Sequence, residues 1–141
     1  MSAHTDEDVT SRNVAVVKHL YASFSHIDPD ELTDLFTDDA YIQPMMKEPY
    51  AGRAEILRMF GIWATRFSGI STPLRNIVGN GDVVMTEWSD ESDFDGARTV
   101  LPCTGVFEFE GTKIKAWRLY YDHDDRRSAA AGLKVRARGS D

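Results

Sequence analysis

From Pro73 to Asp122 the chain alternates apolar and polar residues in four runs separated by turn signals, and this restricts its fold more than any other feature. Successive side chains of a strand point to opposite faces, so each run carries its own inside and outside. Leu74 to Val78 leads into Gly79-Asn80-Gly81-Asp82, and Val83 to Ser92 ends at Asp93 to Gly96. Thr99 to Phe109 ends at Glu110-Gly111, and Lys113 to Asp122 closes the series. Tight turns of this composition join antiparallel neighbours, so the second half is predicted to be a four-strand meander.

The first half has the other period. Val14, Val17, Leu20, Tyr21 and Phe24 recur at helical spacing, which predicts an amphipathic helix over Ser11 to Ser25. Residues 1–10 are polar and acidic and are expected to form a flexible arm. Asp28-Pro29-Asp30-Glu31 reads as a helix start, with Asp28 as cap, Pro29 in the first turn and Glu31 at the capping-box position. That short helix is expected to end near Phe36. Tyr41 to Met45 reads as a strand, Pro49 to Gly52 as a loop, and Arg53 to Phe67 as a third helix with Ile56, Leu57, Phe60 and Trp63 on its apolar side. Helices gathered early and strands gathered late predict an α+β fold, a curved mixed or antiparallel sheet wrapped around the N-terminal helices. A chain of 141 residues fits one domain, expected over 11–123. The segment 124–141 holds five Arg or Lys against three Asp and reads as a mobile basic, Ala- and Gly-containing tail or a partner-binding arm.

Charge and motifs exclude several classes. A formal net charge of −7 argues against a nucleic-acid partner, which would show a basic stripe. No apolar run approaches the ~20 residues of a membrane span, and the polar start lacks a signal-peptide pattern. A single cysteine, Cys103, excludes an internal disulfide framework and fits a reducing, cytoplasmic setting. No phosphate loop, zinc motif or nucleophile elbow is present. Asp122-His123-Asp124-Asp125 has metal-ligand composition without ligand spacing and reads as a solvated terminus, so neither metal nor cofactor is expected.

The strand faces supply a candidate site. Val84, Thr86, Trp88 and Asp90 share one side of their strand, opposite the polar Glu87, Ser89 and Glu91. Leu101, Cys103, Gly105, Phe107 and Phe109 line up on the next strand, and Trp117, Leu119 and Tyr121 on the last, with Ile114, Ala116, Arg118 and Tyr120 opposite them. Tyr41 and Gln43 line up on the first strand. If the sheet curls, these faces enclose an aromatic space whose polar groups are Tyr41, Gln43 and Asp90, the composition of a small-molecule site. The same stripes also fit a plain core, Asp90 also fits a strand end open to water, and Cys103 fits core packing. A carboxylic acid within such a pocket is paired, neutralised or catalytic.

These residues resemble the limonene-1,2-epoxide hydrolase family and its SnoaL-like relatives. The landmarks are Phe36-Thr37-Asp38-Asp39-Ala40-Tyr41, Tyr50-Ala51-Gly52-Arg53, Thr86-Glu87 with Asp90, Gly105-Val106-Phe107, Lys113-Ile114 and Trp117-Arg118, spread over Val14 to Asp122. The resemblance implies a cone of the nuclear-transport-factor-2-like, cystatin-like type, often dimeric, with a deep apolar cavity. In that family an Asp-Arg-Asp set activates water and protonates the epoxide oxygen, while a Tyr and an Asn hold the water. Asp90 matches the proton-donating Asp, Tyr41 the Tyr, and Gln43 falls at the Asn. Trp88 stands where the Arg is expected and Leu119 where the second Asp is expected, which is also where the SnoaL-type catalytic Asp falls. Asp122 is close to that position and could replace it only through a bulge.

The resulting expectation is a cofactor-free, homodimeric enzyme that uses Asp90, with Tyr41 and Gln43, for acid–base chemistry. Its substrate would be an apolar oxygenated small molecule, polyketide-, terpenoid- or steroid-like, held by Trp88, Leu101, Cys103, Trp117, Leu119 and Tyr121. The reaction would be epoxide opening, cyclisation or isomerisation. A non-catalytic binding protein that keeps the cavity, an epoxide hydrolase with a rearranged acid–base set, and a regulatory or assembly subunit acting through its sheet face or tail are the alternatives.

Overall fold

The computed structural model describes residues 5–45, 47–66, 70–94 and 97–122. The tail 124–141 and the run from His123 lie outside these. Within the described residues, three α-helices and six strands follow in the order α1 (Asp6–Ala22), α2 (Pro29–Thr33), β1 (Phe36–Pro44), β2 (Tyr50–Ala51), α3 (Arg53–Arg66), β3 (Leu74–Asn80), β4 (Val83–Phe94), β5 (Ala97–Glu110) and β6 (Lys113–Tyr121). The strands form one mixed sheet ordered β2-β1-β6-β5-β4-β3. β3 to β6 are the antiparallel meander, whereas β1 runs parallel to β6 and is edged by the two-residue β2. β2 occupies part of the segment expected to be a loop. No described helix is long and apolar enough to cross a membrane.

The first helix begins earlier than its apolar spacing indicates. Thr5 caps it, accepting from the Asp8 N–H at 3.1 Å while Asp8 accepts from the Thr5 N–H at 3.4 Å, so residues 5–10 are not the expected arm. Helix α1 then packs across the sheet on β3 and β4. Thr10 Oγ1 accepts from the Gly81 N–H at 2.8 Å, and Asn13, fully buried, donates from Nδ2 to the Gly81 carbonyl at 3.0 Å. Gly79 is not part of the turn: a Cβ there would lie 2.8 Å from the side chains of Thr10 and Val14, so its hydrogen lets helix and sheet meet. The turn itself uses Gly81 at φ 60°. Asp28 caps α2 as expected, accepting from the Glu31 N–H at 3.3 Å.

β6 carries a bulge that the alternation pattern missed. Phe109 pairs with Ile114 but Phe107 with Trp117, so one extra residue lies between, and both Ile114 and Trp117 point inward. Ile114 is therefore core and not part of the mixed outer face. The core runs under α1 and α3, with Phe36, Phe60, Phe107, Phe109 and Trp117 among its largest fully buried side chains.

Candidate functional site

The inward face of β4 is formed by Val84, Thr86 and Trp88, all buried, and continues through the half-buried Asp90 and Ser92. Across from it on β5, Cys103 pairs with Trp88, Leu101 with Asp90 and Thr99 with Ser92. Trp117, Leu119 and Tyr121 of β6 extend the same surface. Gly105 lies beneath the two indoles: a Cβ there would stand 2.9 Å from Trp88 Cζ3 and 3.1 Å from Trp117 Nε1 and Thr86 Oγ1. The rings of Phe107 and Trp117 stack at 4.9 Å, and Tyr21 of α1 closes on Trp88 at 5.0 Å.

A cavity of about 200 Å³ opens above this surface. Its sheet wall is Trp88, Asp90, Leu101, Trp117, Leu119 and Tyr121, and its helical wall is Phe24, Ile62 and Trp63. The chain has three tryptophans, and all of them line it. Lys47, Tyr50 and Arg66 add polar groups from the loop after β1, from β2 and from the end of α3, and Thr72, Ser92 and Thr99 supply hydroxyls. Asp90 is the one carboxylate among the described lining residues.

The Asp90 side chain is held in place. Trp88 Nε1 donates to its Oδ1 at 2.8 Å, and Cys103 Sγ lies 3.9 Å from its Oδ2 and 3.4 Å from the Leu101 carbonyl. An indole N–H on a carboxylate is a charge-assisted bond that fixes the plane of the group. Behind the wall, the Tyr21 hydroxyl bonds Thr86 Oγ1 at 2.9 Å. Burial raises the Tyr21 pKa far above its ordinary value, the Thr86 bond opposes this, and the Asp90 charge adds to it, so the phenol stays neutral. Trp117 Nε1 is buried without a hydrogen-bond partner among the described residues, a penalty borne by the aromatic packing around it.

The structure brings six of the nine expected site residues to the cavity: Asp90, Trp88, Leu101, Trp117, Leu119 and Tyr121. Cys103 lies behind the wall, in contact with Asp90. Tyr41 and Gln43 do not join them. The apolar face of β1 is Phe36, Ala40, Ile42 and Pro44, and burying it turns the two polar residues to the opposite side. There the Tyr41 hydroxyl accepts from Arg118 at 2.9 Å, and Arg118 also donates to Glu108. Gln43 Nε2 donates to the Lys47 carbonyl. The inward positions hold Ile42 and Pro44, and Pro44 lines the cavity. The β6 bulge lies before Trp117, so alternation from Trp117 onward is intact and Asp122 does not reach the cavity. Ser92 and Thr99 were legible from the alternation that placed Asp90 and Leu101, by extending each strand one step. Thr72, Lys47 and Arg66 come from segments whose approach depends on the tertiary fold. No group of three metal-ligating side chains occurs among the described residues.

Similar solved structures share this architecture. An epoxide hydrolase of the limonene-epoxide-hydrolase-like type from M. tuberculosis superposes with a TM-score of 0.74 at 21% identity, covering 87% of this chain and 92% of that one. SalBIII, an epoxide hydrolase/cyclase-like enzyme with a role in pyran ring formation in polyether salinomycin, gives 0.73 at 20% identity over 82% and 94%. A protein with a ketosteroid isomerase-like fold from Catenulispora acidiphila gives 0.73 at 20% identity over 85% and 94%. No curated protein matches significantly in sequence. Residues 17–117 match the SnoaL-like domain, most of the described chain, and the cone built from them has the sheet, helices and inward aromatic face described above. The chain therefore belongs to the SnoaL-like domain family.

Proposed function

We propose that this protein is a cofactor-free enzyme in which Asp90 moves a proton within a small, apolar, oxygenated substrate, in an isomerisation or an opening of an epoxide by the substrate's own hydroxyl. The observation that carries this reading is that Asp90 is the one carboxylate among the described residues of an otherwise aromatic cavity. A single carboxylate takes a proton from one atom of the substrate and returns it to another, ending as it began. Hydrolysis by external water needs a base for the water and an acid for the leaving oxygen at once. Leu119, Ile42 and Pro44 occupy the inward positions where a second acid or a water-holding group would serve. Positioned acid–base catalysis of this kind contributes about 10²–10⁴ in rate.

The cavity size narrows the substrate. Drug-sized ligands occupy roughly 300–1,000 Å³, and about 200 Å³ favours a terpenoid-sized body over a steroid or fused polycycle. The epoxide hydrolase- and cyclase-like neighbours support an enzymatic reading. Leu119 on the cavity wall, where the family resemblance places a second acid, favours the second reading, a binding protein that keeps the cavity without turnover. Reaction in ¹⁸O-labelled water separates the mechanisms: a product of internal proton transfer carries no label, and an incorporated label would refute the one-carboxylate scheme. The outer sheet face, with exposed Val78, Met85 and Tyr120, supports association of two copies, which sedimentation velocity tests.

A further inference from the structure

The hydroxyls at the Asp90 end of the cavity have their protons already placed. Thr72 Oγ1 donates to the Tyr21 carbonyl at 2.9 Å, and Thr99 Oγ1 donates to the Ser92 carbonyl at 3.1 Å. A hydroxyl has one proton, so the 3.0 Å contact between the Ser92 and Thr99 hydroxyls is made with the proton of Ser92. These groups sit together. Ser92 pairs with Thr99, Asp90 lies two residues along the same face of β4, and the bridge between Ser71 and Glu91 sets Thr72 on the segment beside Asp90. The nearby indole of Trp88 directs its N–H to Asp90. Among the described residues at this end, the hydroxyls of Thr72, Ser92 and Thr99 thus have their protons engaged and turn lone pairs to the cavity, beside the Asp90 side chain. The other nitrogen donors on the lining, Lys47, Trp63 and Arg66, enter from the loop after β1 and from α3.

We propose that this end, whose hydroxyls are acceptors among the described residues, selects a ligand presenting a hydrogen-bond donor, a hydroxyl or an amine, and that Thr99 sets the selectivity by holding the Ser92 proton. The inference deepens the function proposed above and rests on the same cavity being the ligand site. A ketone of matching shape would set its lone pairs against those of the wall, and both sides would lose water without replacing it. A donor held there lies against Asp90, so the group that is recognised is also the group the carboxylate can deprotonate.

Affinities of menthol, menthylamine and menthone, which share one compact skeleton, test this. Intrinsic fluorescence is a direct readout, because every tryptophan lines the cavity. Menthol or menthylamine is expected to bind roughly ten-fold more tightly than menthone, and comparing the first two separates a neutral from a charged donor. In Thr99→Val the Ser92 proton loses its acceptor and turns toward the cavity, so the donor-over-ketone ratio falls toward one. In Ser92→Ala the Thr99 hydroxyl keeps its bond to the carbonyl of residue 92, and the ratio is retained. Menthone binding as tightly as both donors, or a Thr99→Val ratio equal to the wild type, overturns the selectivity while the ligand site stands. Failure of all three probes to bind overturns the cavity as the ligand site and the proposed function with it. If Thr99→Val does not fold, the wild-type ratio alone decides.

Discussion

Replacing Gly105 with alanine tests whether the floor of the cavity is packed as tightly as its geometry indicates. The added methyl would stand 2.9 Å from Trp88 Cζ3 and 3.1 Å from Thr86 Oγ1 and Trp117 Nε1. Ordinary contacts between carbon atoms lie at about 3.5–4.0 Å, so the rings must retreat by more than about half an ångström. They have little room to do so: Trp117 is stacked on Phe107 at 4.9 Å, and Trp88 lies 5.0 Å from Tyr21. Overpacking of this kind costs about 1–3 kcal/mol, and the reduced freedom of the unfolded chain returns about 0.4–1 kcal/mol. The net loss is about 1–2 kcal/mol on these terms. A chain of 141 residues unfolds with an entropy of about 0.3 kcal/mol/K, which puts the drop in Tm at roughly 3–7 °C. Thermal melts followed by circular dichroism measure the drop, and tryptophan fluorescence should shift with it. An unchanged or raised Tm would refute the close approach of the two indoles. Gly61, in the middle of α3, is the control: a Cβ there meets nothing within 4 Å. Gly61→Ala should raise stability by about 0.5–1 kcal/mol through helix propensity.

Two further perturbations probe the supports of the site. Tyr21 keeps its proton in the fold far above the pH at which an unfolded tyrosine ionises, so the unfolded chain alone loses protons and stability should fall as pH rises above about 10. Tyr21→Phe should flatten that alkaline decline in denaturant titrations, at a cost of about 1–2 kcal/mol near neutrality for the lost bond to Thr86, and an unaltered alkaline slope would contradict this assignment. Asn13→Ala should cost about 1–3 kcal/mol in urea unfolding, because it leaves the Gly81 carbonyl without its buried donor and unpins α1 from the β3–β4 turn; a loss within error of zero would mean that the turn is held by Thr10 alone.

The meander was legible because its strands alternate cleanly and its turns carry glycine, and the same alternation put Val84, Thr86, Trp88 and Asp90 on one face. It failed where a local pattern did not contain the deciding contact. The start of α1 was hidden behind a polar run whose Thr5 and Asp8 cap the helix, and whose Thr10 reaches a turn far along the chain. The bulge at Lys115–Ala116 left no signature in an alternating sequence, so Ile114 was assigned to the wrong face. Tyr41 and Gln43 share a strand face and match family positions, and both readings put them in the cavity, yet the buried side of β1 is the opposite one, with Ala40, Ile42 and Pro44. The proton pattern of Thr72, Ser92 and Thr99 depends on backbone carbonyls that only the assembled sheet brings near.

Asp90 is proposed to perform chemistry in a cavity where Trp88 and Leu119 stand at the positions that the family resemblance assigns to an Arg and a second Asp. Asp90→Asn keeps the shape of the side chain and an acceptor for the Trp88 N–H, and removes the ability to take up and release a proton. Its turnover is to be measured beside the wild type on hydroxy-epoxides and unsaturated ketones of terpenoid size, with fluorescence titration of the same ligands. The account predicts wild-type turnover, a loss of about 10²-fold or more in the variant, and ligand binding retained within a few-fold. Turnover by Asp90→Asn at the wild-type rate would contradict it.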